Sequence, residues 1–225
     1  YQEVIRTYCQ AQDIETKTVP PTAPDIDEDT ACLAVQYPNY FGYIEDMAGH
    51  ASAARAHGAL FVVSADPTAT GMFQPPGHYG ADIVTGEGQP LGIPPSFGGP
   101  YVGLFATNQE YVRQMPSRLS GRTVDRLGNT GYVLTLQTRE QHIRRERATS
   151  NICTNEALYA LASTIYLAAL GKQGLRQVAE LCYHKAHYAA SRIAELPGYS
   201  LPIDGTFFQE FVVRCPVPPA EVNRR

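Results

Sequence analysis

A chain of 225 residues with 44% apolar side chains can fill one substantial core or two unequal domains, and its formal charge of −4 gives no general attraction to nucleic acid or to an anionic membrane. The longest apolar stretch, residues 158–170, is interrupted by Ser163 and Thr164 and is too short to span a bilayer. Five widely spaced cysteines (Cys9, Cys32, Cys153, Cys182 and Cys215) with no C-x-x-C pair argue against a zinc site or disulfide framework, so no metal is expected, and they fit reduced thiols in the cytoplasm.

The chain enters directly into a predicted helix at Tyr1 and ends at residues 220–225 on the start of another, so both ends read as cut from a longer polypeptide. Residues 20–29 are proline-rich and acidic and read as a surface connection. Four short runs of β-formers follow, at 31–37, 60–64, 82–85 and 102–106. They are nearly continuous in apolar character, as expected of strands covered on both faces. Residues 44–57 between the first two suit a helix, and strand, helix, strand implies a βαβ unit in an α/β sheet.

Residues 109–115 are predicted as a short helix stopped by Pro116. Residues 117–129, polar and glycine-containing, read as a long functional loop. A mixed-charge helix is expected over 139–147, with Glu140 and Arg144 at salt-bridge spacing. Thr154 or Asn155 can cap an apolar helix with Glu156 in its first turn and Gly171 at its end. A second helix over 175–196 and a strand over 210–215 complete the chain. Residues 1–150 are expected to be part of a large α/β domain without its N-terminal portion. Residues 151–225 are expected to be a helical connection and a truncated small α+β domain.

Two segments carry chemistry. The first is Gly80-Ala-Asp-Ile-Val-Thr-Gly-Glu-Gly-Gln-Pro-Leu-Gly-Ile-Pro-Pro-Ser-Phe-Gly-Gly-Pro-Tyr-Val-Gly103, a strand running into a loop of glycine and proline. The second is Gln137-Thr-Arg-Glu-Gln-His-Ile-Arg-Arg-Glu-Arg-Ala-Thr-Ser-Asn-Ile-Cys-Thr-Asn155. Together they resemble the P-protein of the glycine cleavage system, and within it the alpha subunit (subunit 1) of the two-chain glycine dehydrogenase (decarboxylating). The wording Gly86-Glu-Gly-Gln-Pro-Leu-Gly92 favours the separate subunit over the first half of a single-chain P-protein. A purely structural or regulatory pseudoenzyme half is the other alternative.

The resemblance implies the aspartate-aminotransferase-like fold type I of pyridoxal-phosphate enzymes, and a heteromer with a beta subunit that carries the Schiff-base lysine. It also implies an assembled enzyme that decarboxylates glycine and passes the aminomethyl group to the lipoylated H-protein. Laid on this chain, the lysine falls on Gln89 and a neighbouring histidine on Gly88. Only Lys17, Lys172 and Lys185 are present, none of them in this stretch. A glutamine amide cannot form an aldimine, so the cofactor is expected on the partner.

Asp66 ends the strand at 60–64. It reads either as the carboxylate that would face a pyridinium nitrogen or as the first residue of a turn before Pro67. Pro38-Asn-Tyr-Phe-Gly42 resembles the family's substrate loop and also reads as a plain turn. Thr149, Ser150 and Asn151 precede the capped helix. Hydroxyls and free N–H groups at a helix start favour an anion, so these three are read as contacts to the partner's cofactor, with ordinary capping as the alternative. Arg139 and His142, on one helical face, are candidates for a carboxylate or phosphate at the interface. Arg118, Arg122 and Arg126 beside the loop are further candidates, for an acidic partner.

Overall fold

The computed structural model describes residues 1–116, 118–148 and 156–224, with the side chain of Arg139 set aside. Ca-contact density divides the chain into two compact units, Tyr1–Ser64 with Gln74–Ala81 and Cys182–Arg225, and Ala65–Phe73 with Asp82–Leu181. The expected domain boundary at residue 150 lies outside the described residues.

In the first unit, helix α1 (Gln2–Gln10) begins at once, as the sequence predicts. Strand β1 (Cys32–Tyr37), helix α2 (Met47–Ala56) and strand β2, which starts at Leu60, form the expected strand–helix–strand succession. Asp46 caps α2, its Oδ1 accepting from the Gly49 N–H at 3.0 Å, which satisfies one donor at the helix start. Met47, His50, Ala51 and Ala54 recur at helical spacing and form the buried face of α2. Phe61 and Val63 alternate inward on β2 and are 1% and 0% exposed. A second cluster gathers Tyr43, Ala186, Ala190 and Phe207, with Leu201, Ile203 and Phe211 packed against it.

In the second unit, β3 (Ile83–Glu87) and β4 (Gly103–Thr107) pair antiparallel, with Ile83 opposite Thr107 and Glu87 opposite Gly103. The expected coverage on both faces does not hold for β4, where Phe105 remains 45% exposed. Helix α4 (Ala157–Ala194), of which only the part up to Leu181 belongs to this unit, is broken at Gly171, whose φ of 69° suits the glycine read as a helix end.

Four expectations are corrected. Residues 117–129 are not one long loop, because β5 (Leu119–Val124) and β6 (Thr130–Thr135) form an antiparallel hairpin. Its turn is held by Asp125, whose Oδ1 accepts from the N–H groups of Leu127 (2.8 Å) and Asn129 (2.9 Å). Residues 139–147 are not one helix. A 3-10 turn at Gln137–Arg139, the short helix α3 (Gln141–Arg144) and a second 3-10 turn succeed one another, with Arg145 at φ 54° ending α3. Residues 210–215 form no strand, and only a single bridge joins Arg214 to Ser200, because Pro216 and Pro218 remove backbone donors just beyond. Residues 109–115 reduce to one 3-10 turn, Gln109–Tyr111. The final helix, α5, spans only Pro219–Val222.

Candidate functional site

The turn after β3 is where a cofactor amine would stand, and its bonding shows what occupies that place. The Gln89 Nε2 donates to the Ile93 carbonyl oxygen at 2.9 Å. The Gln89 N–H donates to Glu87 Oε1 at 3.1 Å, and the Ile93 N–H donates back to the Gln89 carbonyl at 3.1 Å. Both ends of the Gln89 residue are thus spent on closing the turn. Leu91 and Ile93 fix it from within, at 6% and 4% exposure.

Gly88 and Gly92 are glycines for steric reasons. A Cβ at Gly88 would lie 2.5 Å from Val102 Cγ1 and 2.9 Å from the Val102 carbonyl oxygen, so no histidine fits without displacing β4's approach. A Cβ at Gly92, whose φ is +84°, would meet Tyr166 Cβ, Cγ and Cδ2 at 2.6–2.9 Å.

Asp66 lies in the same unit and is partly buried. Its Oδ1 accepts from the Thr68 N–H at 2.8 Å, the geometry of a turn-starting aspartate. Pyridoxal phosphate therefore does not fit this chain's own residues. No amine stands at position 89, there is no room for an aromatic at 88, and one oxygen of Asp66 is engaged in a turn.

In the first unit, Asn39 organises the loop 38–42. Its Oδ1 accepts from the N–H groups of Phe41 (2.9 Å) and Tyr43 (3.0 Å), while its Nδ2 donates to Glu45 at 2.6 Å. A Cβ at Gly42 would lie 2.1 Å from the Glu210 carbonyl oxygen, so the two backbones lie in close approach. Beside them Tyr40, Phe41, Gln209, Glu210, Phe211 and Val212 line a groove of about 550 Å³. Tyr40 stands 83% exposed at its edge. The sequence offered only the loop itself; the segment 209–212 arrives by tertiary folding.

Glu140 is the residue that sequence reasoning placed wrongly. Instead of lying on a solvated face, its side chain is 7% exposed, with Arg118 Nη1 and His142 Nδ1 each 3.3 Å from its Oε2. His142 is therefore directed at a carboxylate of its own chain. The clue was available in Arg118 and His142 as nitrogen donors near one acid in sequence, but the approach of Arg118 depends on the hairpin that follows it. Arg122 and Arg126 lie on strand β5 and in the turn beyond it, in the hairpin that replaces the expected loop. Thr149, Ser150 and Asn151 lie outside the described residues, and Arg139 is placed only by its backbone, at the end of the 3-10 turn Gln137–Arg139.

Burial and the neighbouring Tyr37 push the Tyr79 phenol well above its ordinary range, and its hydroxyl has no hydrogen-bond partner. Among the described residues no group of three or more His, Cys, Asp or Glu side chains could hold a metal ion, and no helix is long and apolar enough to cross a membrane.

A family model described as the glycine cleavage system P-protein matches residues 1–222. The chain is 58% identical, over 233 aligned positions, to a probable glycine dehydrogenase (decarboxylating) subunit 1 of Thermomicrobium roseum, covering 99% of this chain and 52% of that protein. The corresponding protein of Desulforamulus reducens is 52% identical, with 100% and 52% covered. The chain thus spans about half the length of these relatives. A crystal structure of glycine decarboxylase (P-protein) of the glycine cleavage system, in inhibitor-bound form, superposes with a TM-score of 0.94 at 44% identity, over 100% of this chain and 52% of that one.

The Escherichia coli cysteine desulfurase CsdA is 18% identical with a TM-score of 0.57, over 87% of this chain and 49% of its own. That likeness shows the fold alone and agrees with the fold type I α/β architecture expected from the sequence. Matched from its first residue to Val222, and more than half identical to relatives of that name, the chain belongs to the glycine cleavage system P-protein family.

Proposed function

We propose that this chain is the lysine-free half of glycine decarboxylase, the alpha subunit of a two-chain P-protein whose pyridoxal phosphate is held by the beta subunit. The observation that carries this reading is the self-bonded turn at Gln89. Position 89 closes its own turn through Ile93, so the chain offers no nucleophile there. In the assembled enzyme glycine is decarboxylated and its aminomethyl group passes to the lipoylated H-protein; relatives named as glycine dehydrogenase (decarboxylating) subunit 1 support this.

This chain's contribution is one wall of the partner's site. Thr149, Ser150 and Asn151, which precede the helix in sequence, carry hydroxyl, amide and N–H donors suited to an anionic group of the cofactor. Arg139 adds a cation on the same stretch, and His142 lies against Glu140. We further propose a cytoplasmic hetero-oligomer.

The test is glycine–bicarbonate exchange by the full-length subunit combined with its lysine-bearing partner. Thr149→Ala with Ser150→Ala is expected to lower exchange at least tenfold while assembly persists. Unchanged exchange would make the chain a scaffold only and remove the assignment of this turn.

A further inference from the structure

The geometry points to the outer face of the hairpin β5–β6, centred on Arg122 and Tyr132, as a docking surface for an acidic patch of the lysine-bearing partner subunit. The proposal rests on the reading that this chain pairs with such a subunit.

Directly opposed residues of an antiparallel pair share a face, and neighbours along a strand alternate between faces. The register sets Ser120 opposite Leu134, Arg122 opposite Tyr132 and Val124 opposite Thr130. These six therefore lie on one face, and all six are exposed. Val124, Tyr132 and Leu134 are 63%, 72% and 55% exposed, and Leu127 in the turn beyond is 87% exposed. On the other face Leu119, Gly121, Gly131 and Thr135 are half-buried. Large apolar side chains thus face solvent while two glycines take the sheltered side, the reverse of a sheet whose outer face stays in water. The register is pinned at both ends, by the Asp125 turn and by Thr135 Oγ1, which donates to the Leu119 carbonyl at 2.9 Å. Only a slip of one residue would turn these side chains inward, so their outward display is built in.

Charge selects the occupant. Residues 113–147 hold eight of the chain's 15 arginines against three acids and no lysine, an excess of positive charge in a chain of net −4. Arg118 is matched by Glu140, and the Asp125 carboxyl is engaged within its own turn. Arg122 and Arg126 make no ion pair with any described residue. A second copy placed on this face by two-fold symmetry would set these arginines against themselves, whereas an acidic surface matches them. No other described helix or strand packs along the hairpin, and a lone two-stranded hairpin is marginal in water without something packed on it. That need suits a standing subunit better than a carrier that comes and goes. Arginine and tyrosine, directly opposed at the centre of the face, are the residue types that dominate binding energy at interface centres.

The experiment uses the full-length subunit, alone and assembled with its lysine-bearing partner. Hydroxyl-radical footprinting read by mass spectrometry reports solvent access at Tyr132 and Leu134. Both are expected to react readily in the subunit alone and about fivefold or more slowly in the assembly, as water is excluded. Protection already present in the subunit alone would mean that its own chain covers the face. Equal reactivity in both samples would mean that the partner docks elsewhere, and protection that appears only on adding the lipoylated carrier would name a different occupant. Each of these three results overturns the proposal.

Arg122→Glu and Tyr132→Ala are each expected to weaken the assembly at least about tenfold. The Arg122→Glu complex should also lose most of the salt sensitivity of the original. Lys185→Glu, which reverses an exposed cation in the first unit, is expected to leave the affinity within about twofold. Unchanged affinity in either hairpin variant, or an equal loss in Lys185→Glu, overturns the docking surface. Should a hairpin variant fail to fold, footprinting of the unsubstituted pair decides. A subunit that binds no lysine-bearing partner removes the pairing and this surface with it, whereas a bound partner that leaves the hairpin exposed removes the surface alone.

Discussion

The Gln89 side-chain amide donates to the Ile93 carbonyl at 2.9 Å, four residues along the same turn. Removing the amide by Gln89→Ala is expected to destabilise the chain by about 0.5–1.5 kcal/mol, the net worth of one hydrogen bond. Chemical denaturation of the full-length subunit measures it, and hydrogen exchange should show faster exchange confined to residues 89–93.

Phe61 and Phe208 are the largest fully buried side chains among the described residues of the first unit, each 1% exposed, and Phe61 has the Tyr79 ring 6.3 Å away. Phe61→Ala is expected to cost about 3–5 kcal/mol, since transfer and cavity terms both act on a closed site. A lowered denaturation midpoint with an unchanged slope would establish it. A loss below about 1 kcal/mol would show that this is not the centre of the core.

The hairpin β5–β6 hangs on Asp125, whose carboxyl accepts three hydrogen bonds, the third from Asn129 Nδ2 at 3.0 Å. The Asn129 side-chain bond first, then backbone N–H donors, hold its pKa below the ordinary carboxylate value. A depressed folded pKa means that the turn's protection is present above the unfolded value and is lost as pH falls through the folded one. The protection factors of the Leu127 and Asn129 amides, taken relative to intrinsic exchange at each pH, should therefore fall on acidification below about pH 4, and Asp125→Ala should show that loss of protection already at neutral pH.

Glu140 is buried while its partner Arg118 remains 38% exposed, so water screens the guanidinium but not the acid. Glu140→Gln keeps the shape and removes the charge, and is expected to destabilise by on the order of 1–2 kcal/mol. Thermal melts should place the loss above that of Glu146→Gln, an exposed acid on the same stretch.

What the sequence disclosed follows physical range. Strands at 31–37 and 60–64 and the break at Gly171 were legible because apolar runs and a lone glycine act locally. The missing amine was legible because an absence between Lys17 and Lys172 needs no fold to be seen. The hairpin was missed although Thr123, Val124, Thr130, Tyr132 and Val133 are strand formers, because arginines and glycines between them suggested a loop. Arg139–Arg147 was read as a helix because charge spacing is local, whereas the burial of Glu140 depends on Arg118, 22 residues away. The contact of Gly92 with Tyr166 joins positions that no local pattern relates.

The most direct measurement is borohydride reduction of the full-length subunit with pyridoxal phosphate, alone and in complex with its partner, followed by peptide mass spectrometry. The expected result is a reduced pyridoxyl adduct on the partner's lysine and none on this chain in either sample. A stoichiometric adduct on Lys17, Lys172 or Lys185 would contradict the account, because this chain would then anchor the cofactor itself.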